Sequence, residues 1–196
     1  MPKNKRKSVL ASVFDKKGIS KFAKTLYRFN YKIISTDGTG RELTKNGIPS
    51  TPAQNISKNP NGLDDCIKTI SFRIEAGILF NRLNPTHLKE AKKLDIEPID
   101  IVICNFPPFE KVIQESADFN VKNIDIGGPL MVRAAATNFE HVLVIVDPND
   151  YEKVAKAIIE NRVTDKLRRQ LAAKAFTYTY LYDYKIAKYL RKPAYL

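Results

Sequence analysis

Twice within its first 47 residues the chain runs from a short apolar, partly β-branched segment through a polar turn into a helical pattern. Ser8 to Phe14 leads through Asp15-Lys16-Lys17-Gly18 to Ile19, Phe22, Ala23, Leu26 and Phe29 at helical spacing. Tyr31 to Ser35 leads through Thr36-Asp37-Gly38-Thr39-Gly40 to a short helix, with Asn46-Gly47 as a left-handed stop. Strands joined by helical crossovers pair in parallel, so this alternation implies a parallel sheet with helices on its faces.

The remainder fits the same plan. Residues 48–63 are rich in Pro, Asn and Ser and read as a loop. Cys66 to Leu79 is mixed, with an apolar segment expected from Glu75 to Leu83, and Thr86 is expected to cap a helix through about Leu94. Ile99 to Cys104 reads as a central strand and Asn105 to Phe109 as a loop, because two prolines exclude a helix interior. Asp125-Ile126-Gly127-Gly128-Pro129 enters a helix, Val142 to Val146 is a strand, and Asp147 caps a helix opened by Pro148. From Tyr151 the pattern is helical to the end, with one stripe at Val154, Ala157, Ile158 and Val163 and another at Leu167, Leu171, Ala175, Tyr178 and Tyr182. The expected fold is a single three-layer α/β domain over 8–196: a mainly parallel sheet flanked by helices, with a helical C-terminal extension and a basic tail at 1–7.

Composition narrows the function classes. The chain has 196 residues, enough for one domain with a substantial core. No apolar run approaches the ~20 residues of a membrane span, and the start lacks a secretory core, so a cytoplasmic location is expected. Two cysteines, Cys66 and Cys104, and two histidines, His87 and His141, lie at no metal-ligand spacing, so neither a metal site nor a disulfide is expected. The net charge of +12 suits nucleic acid, phosphorylated small molecules or a plain lysine-rich surface. Without tryptophan or an aromatic–basic strand pattern, nucleic acid is the weakest of the three.

In an open parallel sheet, ligands bind at the carboxyl ends of the strands. Two helix starts converging there would make a phosphate site from free N–H groups, with Lys16 adding charge and Thr36 and Thr39 adding hydroxyls. Asp37 opposes an anion, and two ordinary strand–helix turns explain the same residues. Asn105 can pair with a base or amide, or close an Asx turn. Asp125 can accept from an amide or ring N–H, or cap the next helix, while Gly127 and Gly128 permit close backbone approach.

Taken together, these segments resemble the inosine monophosphate cyclohydrolase domain of the bifunctional purine-biosynthesis enzyme. Ser12-Val13-Phe14-Asp15-Lys16-Lys17-Gly18 is similar to that family's Ser-Val-Ser-Asp-Lys-Thr-Gly, and Ser35-Thr36-Asp37-Gly38-Thr39 to its Ser-x-Gly-Gly-Thr. Ile67-Lys68-Thr69, Cys104-Asn105, Asp125-Ile126-Gly127-Gly128, Arg133-Ala134-Ala135-Ala136-Thr137-Asn138 and Arg168-Arg169-Gln170-Leu171-Ala172 follow in the family's order, over roughly Ser8 to Leu190. The resemblance implies a methylglyoxal-synthase-like fold. It also implies closure of the formylated imidazole-carboxamide ribonucleotide (FAICAR) to inosine monophosphate with loss of water, without cofactor or metal. It assigns catalysis to Lys68, Asn105 and Asp125. Substrate binding falls to Ser12, Lys16, Lys17, Thr36, Asp37, Gly38, Thr39, Thr69, Gly127, Gly128 and Thr137. It further implies a homodimer, a purine ribonucleotide substrate and, with the transformylase module expected to be absent, a separate formylating enzyme.

The chain departs from that family at several positions. Cys66 stands where the family has Arg, Pro107 where it has Tyr and Thr137 where it has Lys. Ser71 and Glu75 replace two histidines, and Phe14 replaces a Ser. Pro107 has no ionisable group. The alternative expectation is therefore a non-catalytic purine-nucleotide binder or partner subunit.

Overall fold

The computed structural model describes residues 6–60, 67, 69–110 and 124–191. One five-stranded sheet has the order β3-β2-β1-β4-β5, with β1 Ser8–Val13, β2 Lys32–Ser35, β3 Thr51–Pro52, β4 Ile101–Asn105 and β5 Leu143–Ile145. Every neighbouring pair is parallel. The helices are α1 Ile19–Arg28, α2 Asp37–Lys45, α3 Gln54–Ser57, α4 Phe72–Leu79, α5 Pro85–Lys93, α6 Gly127–Thr137, α7 Tyr151–Ile159 and α8 Asp165–Leu190.

The strand period of two divides the core. Val9, Ala11 and Val13 of β1, with Ile101 and Ile103 of β4, pack against Phe22 and Leu26 of α1 and Val154 of α7. Leu10, Val102, Cys104 and Val144 point the other way, onto Ile74 and Ile78 of α4 and Val132 and Ala135 of α6. Leu167 and Leu171 of α8 join the first cluster, whereas Ala172, Ala175 and Tyr182 join the second. Thus α8, expected as an extension, belongs to both cores and packs along β5, covering that sheet edge.

Local chemistry explains where element boundaries differ from expectation. The loop at 48–63 contributes the two-residue strand β3 and the short helix α3. The segment expected at Glu75 to Leu83 is the helix α4, which starts earlier because Ser71 caps it, accepting from Ile74 N–H at 3.1 Å. Helix α5 is capped by Asn84, not Thr86, with Pro85 in its first turn. The continuous helix expected from Tyr151 breaks before Asp165, where Thr164 Oγ1 accepts from Leu167 N–H at 3.2 Å. Arg6, read as tail, donates to the carbonyls of Asn30 (3.2 Å) and Tyr31 (2.9 Å).

The amino edge of the sheet is fastened by polar contacts. Ser8 donates through its N–H to Asp100 at 2.8 Å and through its hydroxyl to Glu97 at 2.6 Å. Arg82 donates to the Ile99 carbonyl at 2.5 Å and the His141 carbonyl at 2.9 Å. The two histidines, distant in sequence, share Asn81: its N–H donates to His87 Nδ1 at 3.1 Å, and its Oδ1 lies 3.2 Å from His141 Nε2. Among the described residues no group of three or more His, Cys, Asp or Glu is placed to hold a metal ion. No described helix is long and apolar enough to cross a membrane.

Helix α4 meets the strand leading to β4 at closest range through Gly77. The Ile99 N–H donates to the Gly77 carbonyl at 3.0 Å, and a Cβ on Gly77 would come within 2.4 Å of the Glu97 carbonyl oxygen. Alanine is the better helix former by ~1 kcal/mol, yet here it forces two backbone segments apart. Gly77→Ala is expected to destabilise by about 1–3 kcal/mol, as overpacking does, measured by urea unfolding. Equal or greater stability would mean that α4 can move away freely.

Candidate active site at the carboxyl edge of the sheet

Strands β1 and β4 end together, since Val13 lies opposite Asn105 in the register. The chain winds from β1 outward to β3, then returns to place β4 on the other side of β1. The carboxyl ends of β1 and β4 are therefore the topological switch point, where an open parallel sheet leaves a crevice.

Asn105 ties the two strand ends. Its side-chain oxygen accepts from the N–H groups of Phe14 and Asp15, both at 2.8 Å, and the residue is only 7% exposed. That clamp shapes the turn carrying Lys16. Asn105, expected to hold substrate or to close an Asx turn, has its side-chain oxygen engaged by a turn distant in sequence.

Around this turn the structure gathers most of the predicted anion-binding residues. Thr39, 1% exposed, accepts from Val13 N–H at 3.0 Å, pinning the start of α2 to the end of β1. Thr36 donates its hydroxyl to Ser12 Oγ at 3.2 Å. The Lys16 ammonium donates to the Val13 carbonyl and, at 3.4 Å, to Phe14 O. It also lies 4.0 Å from where a Cβ on Gly38 would be, which places it beside the start of α2. Burial pulls the Lys16 ammonium below the usual lysine range. Asp37 opens α2 from an exposed position, where the helix dipole favours a carboxylate. Lys17 does not join the group: it lies in a groove between α1 and α7.

A second cluster sits at the start of α6. Asp125 Oδ1 accepts from Gly128 N–H at 3.0 Å. Burial raises the Asp125 carboxyl above the usual range, partly opposed by the Gly128 and Gly127 N–H groups. A Cβ on Gly127 would meet Thr69 Oγ1 at 2.5 Å, and one on Gly128 would meet Phe106 at 2.9 Å. The close approach expected of these glycines is thus made to the protein's own side chains. Phe106 follows Asn105 directly, so adjacent residues of one strand end link the two clusters. Lys68 and Cys66 lie outside the described residues. Thr137 is not brought here: Gly127 opens α6 and Thr137 ends it, about 15 Å apart at 1.5 Å per residue. Thr137 is exposed and donates to the Arg133 carbonyl at 2.8 Å.

Sequence reasoning left open what the tyrosines of α8 do. Tyr178 accepts from Phe106 N–H (3.2 Å) and donates to Phe106 O (3.1 Å), while Tyr182 accepts from Asp125 N–H at 2.8 Å. Their rings each pack 4.6 Å from Phe106. The signal was present in the Leu171–Ala175–Tyr178–Tyr182 stripe, although the hydroxyl partners were not. Beside these residues a cleft of about 760 Å³ includes Lys16, Asn105, Phe106, Tyr178 and the Lys174–Asp147 ion pair (2.6 Å) in its lining; Asp125 and Thr39 are outside that lining.

Asn105→Ala removes an acceptor from two N–H groups and is expected to cost about 1–3 kcal/mol in urea unfolding. Asn105→Asp keeps both contacts and should stay near wild type; equal losses in both would contradict the clamp. Glu75 offers a pH test. Both its carboxylate oxygens are buried without a partner, and burial raises its pKa to about 7. The folded state then holds a proton that the unfolded chain releases near pH 4.5, so stability falls as pH rises from about 4.5 to 7. Glu75→Gln should raise the melting midpoint at pH 8 by a few degrees, with no gain at pH 4. A gain that did not depend on pH would refute this assignment.

A five-stranded parallel sheet flanked by helices, with β1 and β4 meeting at a topological switch point, defines this as a three-layer α/β domain. The chain belongs to the MGS-like domain family, whose model matches residues 18–130, and the model of the AICARFT/IMPCHase bienzyme matches 135–195. It is 46% identical over 94% of its length to the bifunctional purine biosynthesis protein PurH of Caldicellulosiruptor bescii, and 42% identical over 96% to that of Oenococcus oeni. It spans 37% and 38% of those relatives' lengths. The crystal structure of ForH superposes with a TM-score of 0.83 at 30% identity, covering 93% of this chain and 97% of that one. The chain is thus an MGS-like domain of the IMP cyclohydrolase type, as its motifs suggested.

Proposed function

We propose that this chain closes formylated AICAR to inosine monophosphate in purine biosynthesis. The observation that carries the reading is the joining of two clusters at one sheet edge: the Lys16–Thr39 cradle and the Asp125–Gly128 helix start, linked by Asn105 and Phe106.

The substrate's phosphate binds at the starts of α1 and α2, where free N–H groups and the dipoles favour an anion. Lys16 leaves the carbonyls it holds and pairs with the phosphate, while the hydroxyls of Ser12 and Thr36 donate to it. The carboxamide nitrogen attacks the formyl carbon and gives up one proton, leaving a hydroxyl on that carbon; the formamido nitrogen gives up the second proton as its C=N bond forms, and the former formyl oxygen departs with both as water. Asp125, desolvated at the start of α6, takes the proton role. Lys68 supplies the charge that steadies the developing oxygen anion, by analogy with its family counterpart. The reaction needs no metal or organic cofactor. The enzyme acts in the cytoplasm. It acts as a homodimer, which the exposed stripe Phe176, Tyr180, Leu181 and Tyr184 on α8 supports.

Purified protein given FAICAR should form inosine monophosphate, followed by absorbance, well above the enzyme-free rate. Asp125→Asn keeps the Gly128 contact and should lower kcat ~10²–10³-fold. Lys16→Met should act mainly on KM, raising it about tenfold or more. Folded protein that binds inosine monophosphate without turning FAICAR over would replace this reading with that of a nucleotide binder.

A further inference from the structure

The cradle does not absorb Lys17, although that residue stands beside Lys16 in the same turn. It lies in a groove of about 420 Å³ between α1 and α7, with Gly18, Lys21, Phe22 and Thr25 on one wall and Tyr151, Glu152, Ala155, Lys156 and Ile159 on the other. The rings of Phe22 and Tyr151 stack beneath its floor, 3% and 6% exposed, with centroids 4.8 Å apart and planes 10° from parallel. Gly18 has a positive φ of 72°, and a Cβ there would sit 3.4 Å from the Tyr151 ring. A larger side chain would therefore be strained and would crowd that ring. Ile159 is 52% exposed at the far end.

The charge around this floor has one dominant sign. Lys17, Lys21 and Lys156 face a single carboxylate, Glu152. Among the described residues the ion pairs use other cations: Lys32, Arg73, Arg162, Lys174 and Lys185. Single exposed apolar groups and surface lysines are ordinary. Here an aromatic floor, a concave volume of small-molecule size and an excess of ammonium groups over carboxylates coincide.

We propose that the α1–α7 groove is a second ligand site, separate from the carboxyl edge, for a small flat aromatic monoanion. The ring of the ligand lies along Ala155 and Ile159, and its carboxylate or sulfonate reaches Lys17, Lys21 and Lys156. The volume fits a one- or two-ring molecule and is too small for a packed helix about 10 Å across. The excess of cations selects an anion over a neutral ring. The inference does not depend on the cyclohydrolase reading.

Naphthalene-1-sulfonate is a suitable probe, titrated into ¹⁵N-labelled full-length protein and followed by amide chemical shifts. The expected result is one saturable site, with shifts concentrated in residues 17–25 and 151–159. The double variant Lys21→Glu/Lys156→Glu, at exposed positions, should bind about tenfold more weakly or worse while remaining folded. Ala155→Phe should block the groove, and neutral 1-naphthalenemethanol should bind far less tightly. Shifts centred on Lys16 and Asn105, or scattered over the surface, would overturn the proposal. So would unchanged affinity in the double variant, or sedimentation showing that a second copy already fills the groove at the working concentration.

Discussion

The site depends on one side chain at a strand end. Asn105 closes β4, and its carbonyl oxygen takes the two N–H groups that β1 presents as it leaves the sheet. A helix or strand satisfies its own backbone, but a strand-to-helix turn does not, and buried N–H groups left open are costly. By filling that need, Asn105 fixes where Lys16 emerges and where α1 begins. Because Phe106 follows it, the same residue also fixes the wall against which Gly128 packs. A single register, Val13 opposite Asn105, thus sets the spacing of both halves of the site.

Helix α8 supplies the second constraint. The loop after β4 contains two prolines and has no ladder to hold it. Tyr178 substitutes for that ladder by bonding both backbone groups of Phe106, and Tyr182 does the same for Asp125 N–H. Burial pushes the Tyr178 phenol up to about 12, so it remains a neutral donor over the working pH range. The division of labour between the sheet edges follows. The amino edge uses charged groups, Arg82, Glu97 and Asp100, to tie strands and helices together. The carboxyl edge relies mainly on neutral side chains, Asn105, Thr39, Tyr178 and Tyr182, with Lys16 and Asp125 also bonded to the backbone there.

The fold was legible where local chemistry is unambiguous. The alternating β1–α1–β2–α2 pattern implied parallel pairing, and the apolar run at 99–104 marked a central strand. Thr51–Pro52 carried no such signal, because a two-residue edge strand exists only by its pairing with Ile34 and Ser35. The break before Asp165 was hidden for a related reason: apolar residues at helical spacing lie on both sides of it, and only the Thr164 cap marks the restart. Within the site, residue types pointed to the turn around Lys16 but not to side-chain direction. Lys16 and Lys17 are indistinguishable as letters, yet one lies at the cradle and the other at the α1–α7 groove. Thr137, assigned by resemblance, stands at the opposite end of α6 from Gly127, about 15 Å away.

The departures from the family pattern sort physically. Ser71, standing where the family has a histidine, is the N-cap of α4, so that position now serves the fold. Glu75 exchanges another histidine for a buried carboxyl that prefers its proton near neutrality, and so adds no negative charge to this part of the chain at low pH. Pro107 gives up a phenol but stiffens a loop whose preceding residue Tyr178 already holds. What is lost is proton-transfer help; what is retained is geometry. For ring closure within one bound molecule that distinction matters, since orientation alone can supply up to ~7–11 kcal/mol when the reacting atoms are held in contact. Removing acid–base helpers costs less in such a reaction than loosening the pose. On the proposed reading, the catalytic burden therefore shifts from the missing Tyr and Lys onto the residues that keep the edge rigid, with Asn105, Tyr178 and Tyr182 first among them.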